Sequence, residues 1–177
     1  MDQEKEIENL LNKVKNFKEA DKVDLSSKED LALAVMNLVS IEEHLFFTHG
    51  KTGKEKYLDL LGQIREMRKK YLAIIVKNPE GEIWCISKHL LASAMRLMEV
   101  GTKKLGEGKR QEAQDLFKNS YKLWNMFWGL NLGLIETVDA MKTEQEDQEI
   151  NLEKGKKASV FDSLGKIIQK ILDCCRE

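Results

Sequence analysis

The sequence predicts an all-α protein: a single-domain, up-down bundle of five or six helices with a linker-tethered amphipathic helix at its C-terminal end. The 177-residue chain contains one proline, and its apolar residues recur at helical spacing instead of the alternation typical of strands. Although 33% of its residues are charged, residues 31–41 and 123–135 contain no charged residue. Short helices that are apolar on every side are typical of a core. We therefore expect the bundle to be built around residues 31–45 and 117–135.

The N-terminal part of the chain predicts two helices separated by a connector. Apolar residues at helical spacing predict the first helix over residues 3–20, and residues 21–26 form the connector. Ser26 followed by Glu29 is a capping-box pattern, which predicts the start of the second helix. We expect Gly50 to end that helix as its C-cap.

A third helix is predicted to start at a second capping-box pattern, Thr52 with Glu55. One side of this helix is strongly apolar, with Tyr57, Leu60, Leu61, Ile64, Met67, Tyr71, Ile74 and Ile75. Residues 78–81 read Asn-Pro-Glu-Gly, which is a turn signal. The third helix should therefore end before this segment.

The central aromatic stretch belongs to the last of five predicted bundle helices. The fourth helix should run from about Glu82 to about Leu105, because the Gly-Glu-Gly sequence at 106–108 breaks it. The fifth should begin near Lys109 and continue to about Met141. Gly129 and Gly133 would each cost about 1 kcal/mol in a helix interior, which makes this stretch a candidate position for a kink.

The C-terminal part of the chain changes character twice. We assign residues 1–142 to the bundle, residues 143–159 to a polar linker, and residues 160–177 to the amphipathic helix. The apolar side of that helix is a candidate interaction surface, formed by Phe161, Leu164, Ile168, Ile171 and Leu172. We expect it to dock on its own bundle; contact with a partner protein or a membrane surface is the alternative.

Composition narrows the classes of function and the compartment. The net charge of −1 gives no general attraction for nucleic acid, so no nucleic-acid partner is expected. Three cysteines, Cys85, Cys174 and Cys175, do not form a disulfide framework, and we expect Cys85 to be buried. The N-terminus lacks a signal-peptide pattern, and no segment is expected to reach membrane-spanning length. These features predict a cytoplasmic protein.

Residues 97–120 resemble a tetratricopeptide hairpin, a pair of antiparallel helices that small residues allow to approach closely. The resemblance rests on Leu97, Val100, Gly101, Ala113, Phe117 and Ser120. Lys104 stands where the repeat has an aromatic residue, and Asn125 where it has proline. A shift of the repeat length finds no second copy, so our preferred interpretation is a generic long helical hairpin.

Polar residues on otherwise apolar helices give the candidate ligand site. Asn37, Ser40, His44 and Thr48 follow one another at spacings of three and four and form a polar stripe. We expect it to face Asn125 and Asn131, either as a hydrogen-bonded core network or as the lining of a small-molecule pocket. The candidate ligand-binding residues are Asn37, Ser40, His44, His89, Trp124, Asn125 and Trp128, with Trp124 and Trp128 as walls.

Metal and catalytic chemistry find little support in the sequence. Di-iron bundles require Glu-x-x-His motifs, and the chain has none. A bespoke set of Glu43, His44, Glu66 and His89 is the remaining metal alternative. No nucleophile-elbow or phosphate-loop motif occurs either. We therefore predict no cofactor, no metal and no catalytic residue.

The function predicted from the sequence is a non-enzymatic helical interaction or scaffold protein that acts through helix-groove contacts. A protein partner or self-association is expected, and membrane contact only through 160–177. The alternative is a helical bundle that binds a small ligand or a metal through the polar stripe around His44 and the Trp124 and Trp128 walls.

Overall fold

The computed structural model describes residues 12, 19–77, 81–134, 165 and 168, and this part of the chain is helical with no strand. Its four long helices are α1 (Glu19–Thr52), α2 (Lys56–Ile75), α3 (Glu82–Gly106) and α4 (Arg110–Asn131). The all-α prediction is therefore confirmed. The helix predicted over 3–20, the linker over 143–159 and the helix over 160–177 lie outside the described residues, except for Asn12, Glu19, Ala20, Gly165 and Ile168, which are helical.

The four helices form two antiparallel hairpins. Most contacts between helices lie within the pairs α1–α2 and α3–α4, and α1 also contacts α3. The tight turns are at 53–55 and 107–109. The buried residues concentrate at the ends of the hairpins that lie away from these turns. These are the starts of α1 and α3 and the ends of α2 and α4. The hairpins are thus joined through a core at one end, and their turns lie away from it.

The start and end of α1 differ from the sequence prediction. Residues 21–26, predicted as a connector, are part of one helix of 34 residues. Leu25 is buried in the core, so tertiary packing stabilises helix where the local signals favour an interruption. The helix also continues past Gly50 to Thr52, and the residue with positive φ is Gly53.

The predicted capping box of α2 is not formed. Thr52 belongs to the last turn of α1, where its hydroxyl donates to the Thr48 carbonyl at 2.8 Å. Glu55 occupies the N-cap of α2 without a side-chain capping bond. The boundaries of α3 agree with the prediction, since it begins at Glu82 and ends at Gly106.

A Schellman motif ends α4 ten residues before the predicted end. Gly133 has φ +66°, the Leu134 N–H donates to the Gly129 carbonyl at 2.8 Å, and the Gly133 N–H donates to the Leu130 carbonyl at 3.1 Å. Leu134 is buried, which supplies the apolar contact usual in this motif. The helix therefore ends at Asn131, and residues 135–141 lie outside the described part.

The core is built from the central aromatic stretch, as predicted. Phe127 and Trp128 are almost fully buried and pack edge to face with ring centroids 5.1 Å apart. They share one cluster with apolar residues of all four helices and with Ile168 from the C-terminal part of the chain. The other uncharged stretch, in α1, is buried on one side only, because Leu33 and Ile41 face solvent.

The second hairpin has the close approach that its small residues predict. A Cβ atom added to Gly101 would lie 2.6 Å from Phe117, and Ala113 is fully buried. The Ser120 hydroxyl donates to the Ala94 carbonyl at 2.7 Å. Helices α3 and α4 are therefore held together by both apolar contact and a hydrogen bond.

The turn of the second hairpin contains a small ion-pair network. The Lys109 and Lys104 amino groups lie 2.9 and 3.2 Å from the Glu107 carboxylate. Hydrogen bonding from Lys109, then from Lys104, lowers the pKa of Glu107 below its usual range. The carboxylate is thus favoured in its charged form in the folded turn.

Helix α1 departs from the expectation that no segment is long enough to span a membrane. Among the described residues, Leu25–Thr52 alone is long and apolar enough to do so by length and composition. A mostly buried core helix of a soluble protein passes the same test, whereas 17% of the most apolar window of this segment is buried. Glu42 and Glu43 of the segment form ion pairs with arginines on α2 and α3.

Candidate functional site

Two neighbouring carboxylates of α1 connect it to the helices on either side. The Arg68 guanidinium of α2 donates from Nε to Glu42 Oε1 at 2.8 Å and from Nη2 to Oε2 at 3.2 Å. This two-pronged pair is buried, because only 4% of the Arg68 side chain and 14% of the Glu42 side chain are exposed. Glu43 pairs with Arg96 of α3, whose guanidinium also contacts Glu99 at 2.6 Å. Both acidic residues of α1's central part are therefore neutralised.

A groove lies between the hairpins beside these ion pairs, and we call it the inter-hairpin groove. Its volume is about 380 Å³, within the range of small-molecule sites. Its apolar wall consists of Val39, Phe46, Leu61 and Ala92. Its polar wall consists of Glu42, Glu43, Arg65, Arg68, Lys88 and His89.

The charges in the inter-hairpin groove do not balance. Glu42 and Glu43 are engaged by Arg68 and by Arg96, which lies next to the groove. Arg65 and Lys88 form no hydrogen bond or ion pair with any described residue. Among the residues that the structure describes, these two cationic side chains therefore have no acidic partner, on a wall that is otherwise apolar or internally neutralised.

The two histidines of the candidate site, His44 and His89, lie on different surfaces. His89 is exposed on α3 and lines the inter-hairpin groove, whereas His44 is exposed on α1 and is not part of the groove wall. Glu43 is paired with Arg96, and Glu66 with Lys69. No group of three or more metal-binding side chains occurs within the described residues. The alternative metal set of Glu43, His44, Glu66 and His89 is therefore not assembled among the described residues.

The polar stripe of α1 faces solvent, which corrects the expectation that it would face the core. Asn37 and His44 are exposed, and Ser40 is half-buried. Val35 lies on the buried side of α1. Asn37, two positions later, lies about 200° around the helix from Val35 and so on the opposite side. The Asn37 amide instead donates to the Leu33 carbonyl of its own helix at 2.9 Å. The predicted pocket lined by this stripe and the tryptophans is thus not formed by these residues.

The predicted partners of the stripe lie in or beside the core on α4. Trp128 is buried, and the half-buried Trp124 packs edge to face on it with ring centroids 5.8 Å apart. The Asn131 amide donates to Ser87 of α3 at 2.9 Å. Asn125 is buried, and its Nδ2 would lie only 2.9 Å from a Cβ atom added to Gly165.

The C-terminal segment therefore contacts the bundle at Gly165 and Ile168. Gly165 lies against Asn125, and Ile168 is 1% exposed within the core cluster. Ile168 is consequently covered by the chain's own helices. The other four candidate interaction residues of this segment, Phe161, Leu164, Ile171 and Leu172, lie outside the described residues.

Cys85 is an exposed free cysteine near the start of α3, so the expectation that it would be buried is wrong. It follows the half-buried Trp84 and precedes the half-buried Ile86. Trp84 and Ile86 pack against the core, whereas the side chain of Cys85 lies on the part of the helix that faces solvent.

A surface that the sequence interpretation missed lies along α2. Its apolar residues recur at alternating spacings of three and four, and we call them the α2 stripe: Tyr57, Leu60, Ile64, Met67, Tyr71 and Ile74. Leu60, Met67 and Ile74 are exposed, and the other three are half-buried. The side of α2 that faces α1 is a different row, which includes Arg68, Leu72 and Ile75.

Exposed apolar residues are concentrated on the first hairpin. Of the twelve large apolar side chains that are exposed in the described part of the chain, eight lie on α1 and α2. They are Leu33, Ile41, Phe46, Phe47, Leu58, Leu60, Met67 and Ile74. The spacing of the α2 stripe was visible in the sequence, but the sequence could not show which part of the wide apolar side of α2 the neighbouring helix covers.

Comparison of the chain with known protein families, with characterised proteins and with solved structures found no significant match.

Proposed function

We propose that this chain is a non-enzymatic interaction protein whose first hairpin binds a helix of a partner protein. The supporting observation is the α2 stripe, an apolar row at heptad-like spacing in which Leu60, Met67 and Ile74 are exposed, while Tyr71 packs against the core. Apolar residues at these spacings are the pattern by which one helix packs along another. Isolated exposed apolar side chains are ordinary, but an aligned row of them is typical of a contact surface.

The charge around the stripe indicates the chemistry of the partner. Helix α2 carries five basic and two acidic side chains. One of the basic residues, Arg68, is already neutralised by Glu42. Lys56 and Lys70 flank the stripe, with their amino groups 5.2 and 6.0 Å from the ring centres of their tyrosine neighbours. The partner helix is therefore amphipathic, with acidic residues beside its apolar face.

Two exposed methionines provide a matched test of this proposal. Met67 in the stripe and Met98 on α3 are exposed to 45% and 42%. A photo-crosslinking amino acid replaces one or the other in the full-length protein, and irradiation is carried out in cells that express it. We expect a discrete protein complex from position 67 and none from position 98, and Leu60→Glu should abolish the complex without changing thermal unfolding.

The proposal would be overturned by equal crosslinking from both positions, by no protein crosslink from position 67, or by crosslinking from position 67 to lipid. A crosslink to a second copy of the chain would identify the partner as the protein itself. Crosslinking of position 67 to residues 1–18 of the same chain would show that the stripe is covered internally, and it too would contradict the proposal.

A further inference from the structure

We propose that the inter-hairpin groove binds a small amphiphilic anion: an alkyl or aryl body that carries one carboxylate or phosphate group. This site is separate from the α2 stripe, and the inference does not depend on the proposed protein partner. It rests on the charge, the apolar wall and the volume of the groove.

The two cationic side chains of the groove, Arg65 and Lys88, favour a negatively charged ligand. Arg65 projects from α2, and Lys88 from α3, so the two reach the groove from opposite hairpins. Neither has a partner among the described residues, while both carboxylates of the groove are held by arginines. An oxyanion between Arg65 and Lys88 would receive charge-assisted hydrogen bonds from both sides without displacing an existing ion pair.

The apolar wall of the groove favours a ligand with an alkyl or aryl group. Val39 and Phe46 of α1, Leu61 of α2 and Ala92 of α3 border the same groove. Phe46 is 60% exposed, so a ligand body against its ring would remove apolar surface from water. A volume of about 380 Å³ suits a molecule with about ten carbon atoms, at the lower end of typical ligand sites.

The test is calorimetric titration of the full-length protein below the micelle concentration of each probe. Decanoate and decyl phosphate distinguish a carboxylate from a phosphate ligand, and decanol removes the charge while keeping the body. We expect one saturable site for at least one of the two anions and at least tenfold weaker binding of decanol.

Substitutions then locate the site. Arg65→Gln and Lys88→Gln should each weaken anion binding by about three- to tenfold, as is usual for partly exposed charged contacts. The matched controls, Arg110→Gln and Lys103→Gln, remove exposed cations elsewhere and should change nothing. Ala92→Leu fills part of the groove without altering charge and should also weaken binding, with thermal unfolding checking that each variant is folded.

The proposal is overturned if neither anion binds at one saturable site, or if decanol binds as tightly as the anions. It is equally overturned if folded Arg65→Gln, Lys88→Gln and Ala92→Leu proteins all bind like the unsubstituted chain. Binding that these groove variants leave intact but Leu60→Glu removes would place the ligand on the α2 stripe instead.

Discussion

Replacing Glu42 by leucine should destabilise the protein strongly, because it leaves the buried Arg68 guanidinium without its carboxylate. Removing one partner of a buried ion pair costs about 3–5 kcal/mol. Glu42 keeps some contact with solvent, so we expect about 3 kcal/mol, at the low end of that range. Replacing both residues, Glu42→Leu with Arg68→Met, removes the uncompensated charge and should recover most of the loss.

Urea unfolding measures these differences, provided that the slope of free energy against urea is unchanged among the variants. The Lys69–Glu66 pair on the surface of α2 is the matched control, since its side chains are 49% and 70% exposed. Glu66→Leu should therefore cost less than about 1 kcal/mol. If Glu42→Leu cost no more than this control, the buried pair would be screened by solvent and our description of the α1–α2 contact would be wrong.

Three further predictions concern the core and the hairpins. Trp128→Ala should lower the free energy of unfolding by about 3–5 kcal/mol, because it leaves a cavity in the core; a loss below about 1 kcal/mol would contradict its burial. Gly101→Ala should destabilise by about 1–3 kcal/mol through its clash with Phe117, whereas Gly62→Ala, with no atom within 4 Å, should stabilise α2 by up to about 1 kcal/mol. If thermal unfolding showed Gly62→Ala to be more destabilising than Gly101→Ala, the close approach of Gly101 to Phe117 would be excluded. Because its folded pKa is lowered, Glu107 should stabilise the fold at neutral pH and lose this effect as the pH falls through that pKa; a carboxyl NMR titration with no lowering would refute it.

The fold class and the core could be predicted from the sequence because they depend on strong, local patterns. The lack of charge in the aromatic stretch around Trp128 favours its burial, and the two glycines at 106 and 108 favour a helix end. The capping patterns at Ser26 and Thr52 misled because such patterns also occur within helices, and burial of Leu25 outweighed the local signal.

The sites were harder to predict because they depend on which side of each helix is covered. The polar stripe of α1 was expected inside, but its rotation relative to Val35 places it in solvent. The pairing of Glu42 with Arg68 joins residues 26 positions apart, so no local spacing could reveal it. Likewise, the exposure of Met67 follows from where α1 lies against α2, which is a tertiary property.

The central claim is that the α2 stripe is the surface that a partner covers, and methionine oxidation tests it most directly. Met67 and Met98 have nearly equal exposure, so both should oxidise at similar rates in the purified full-length protein. In cells, we predict that Met67 becomes protected while Met98 does not. Equal oxidation of the two in cells, or protection of Met98 instead, would contradict the claim.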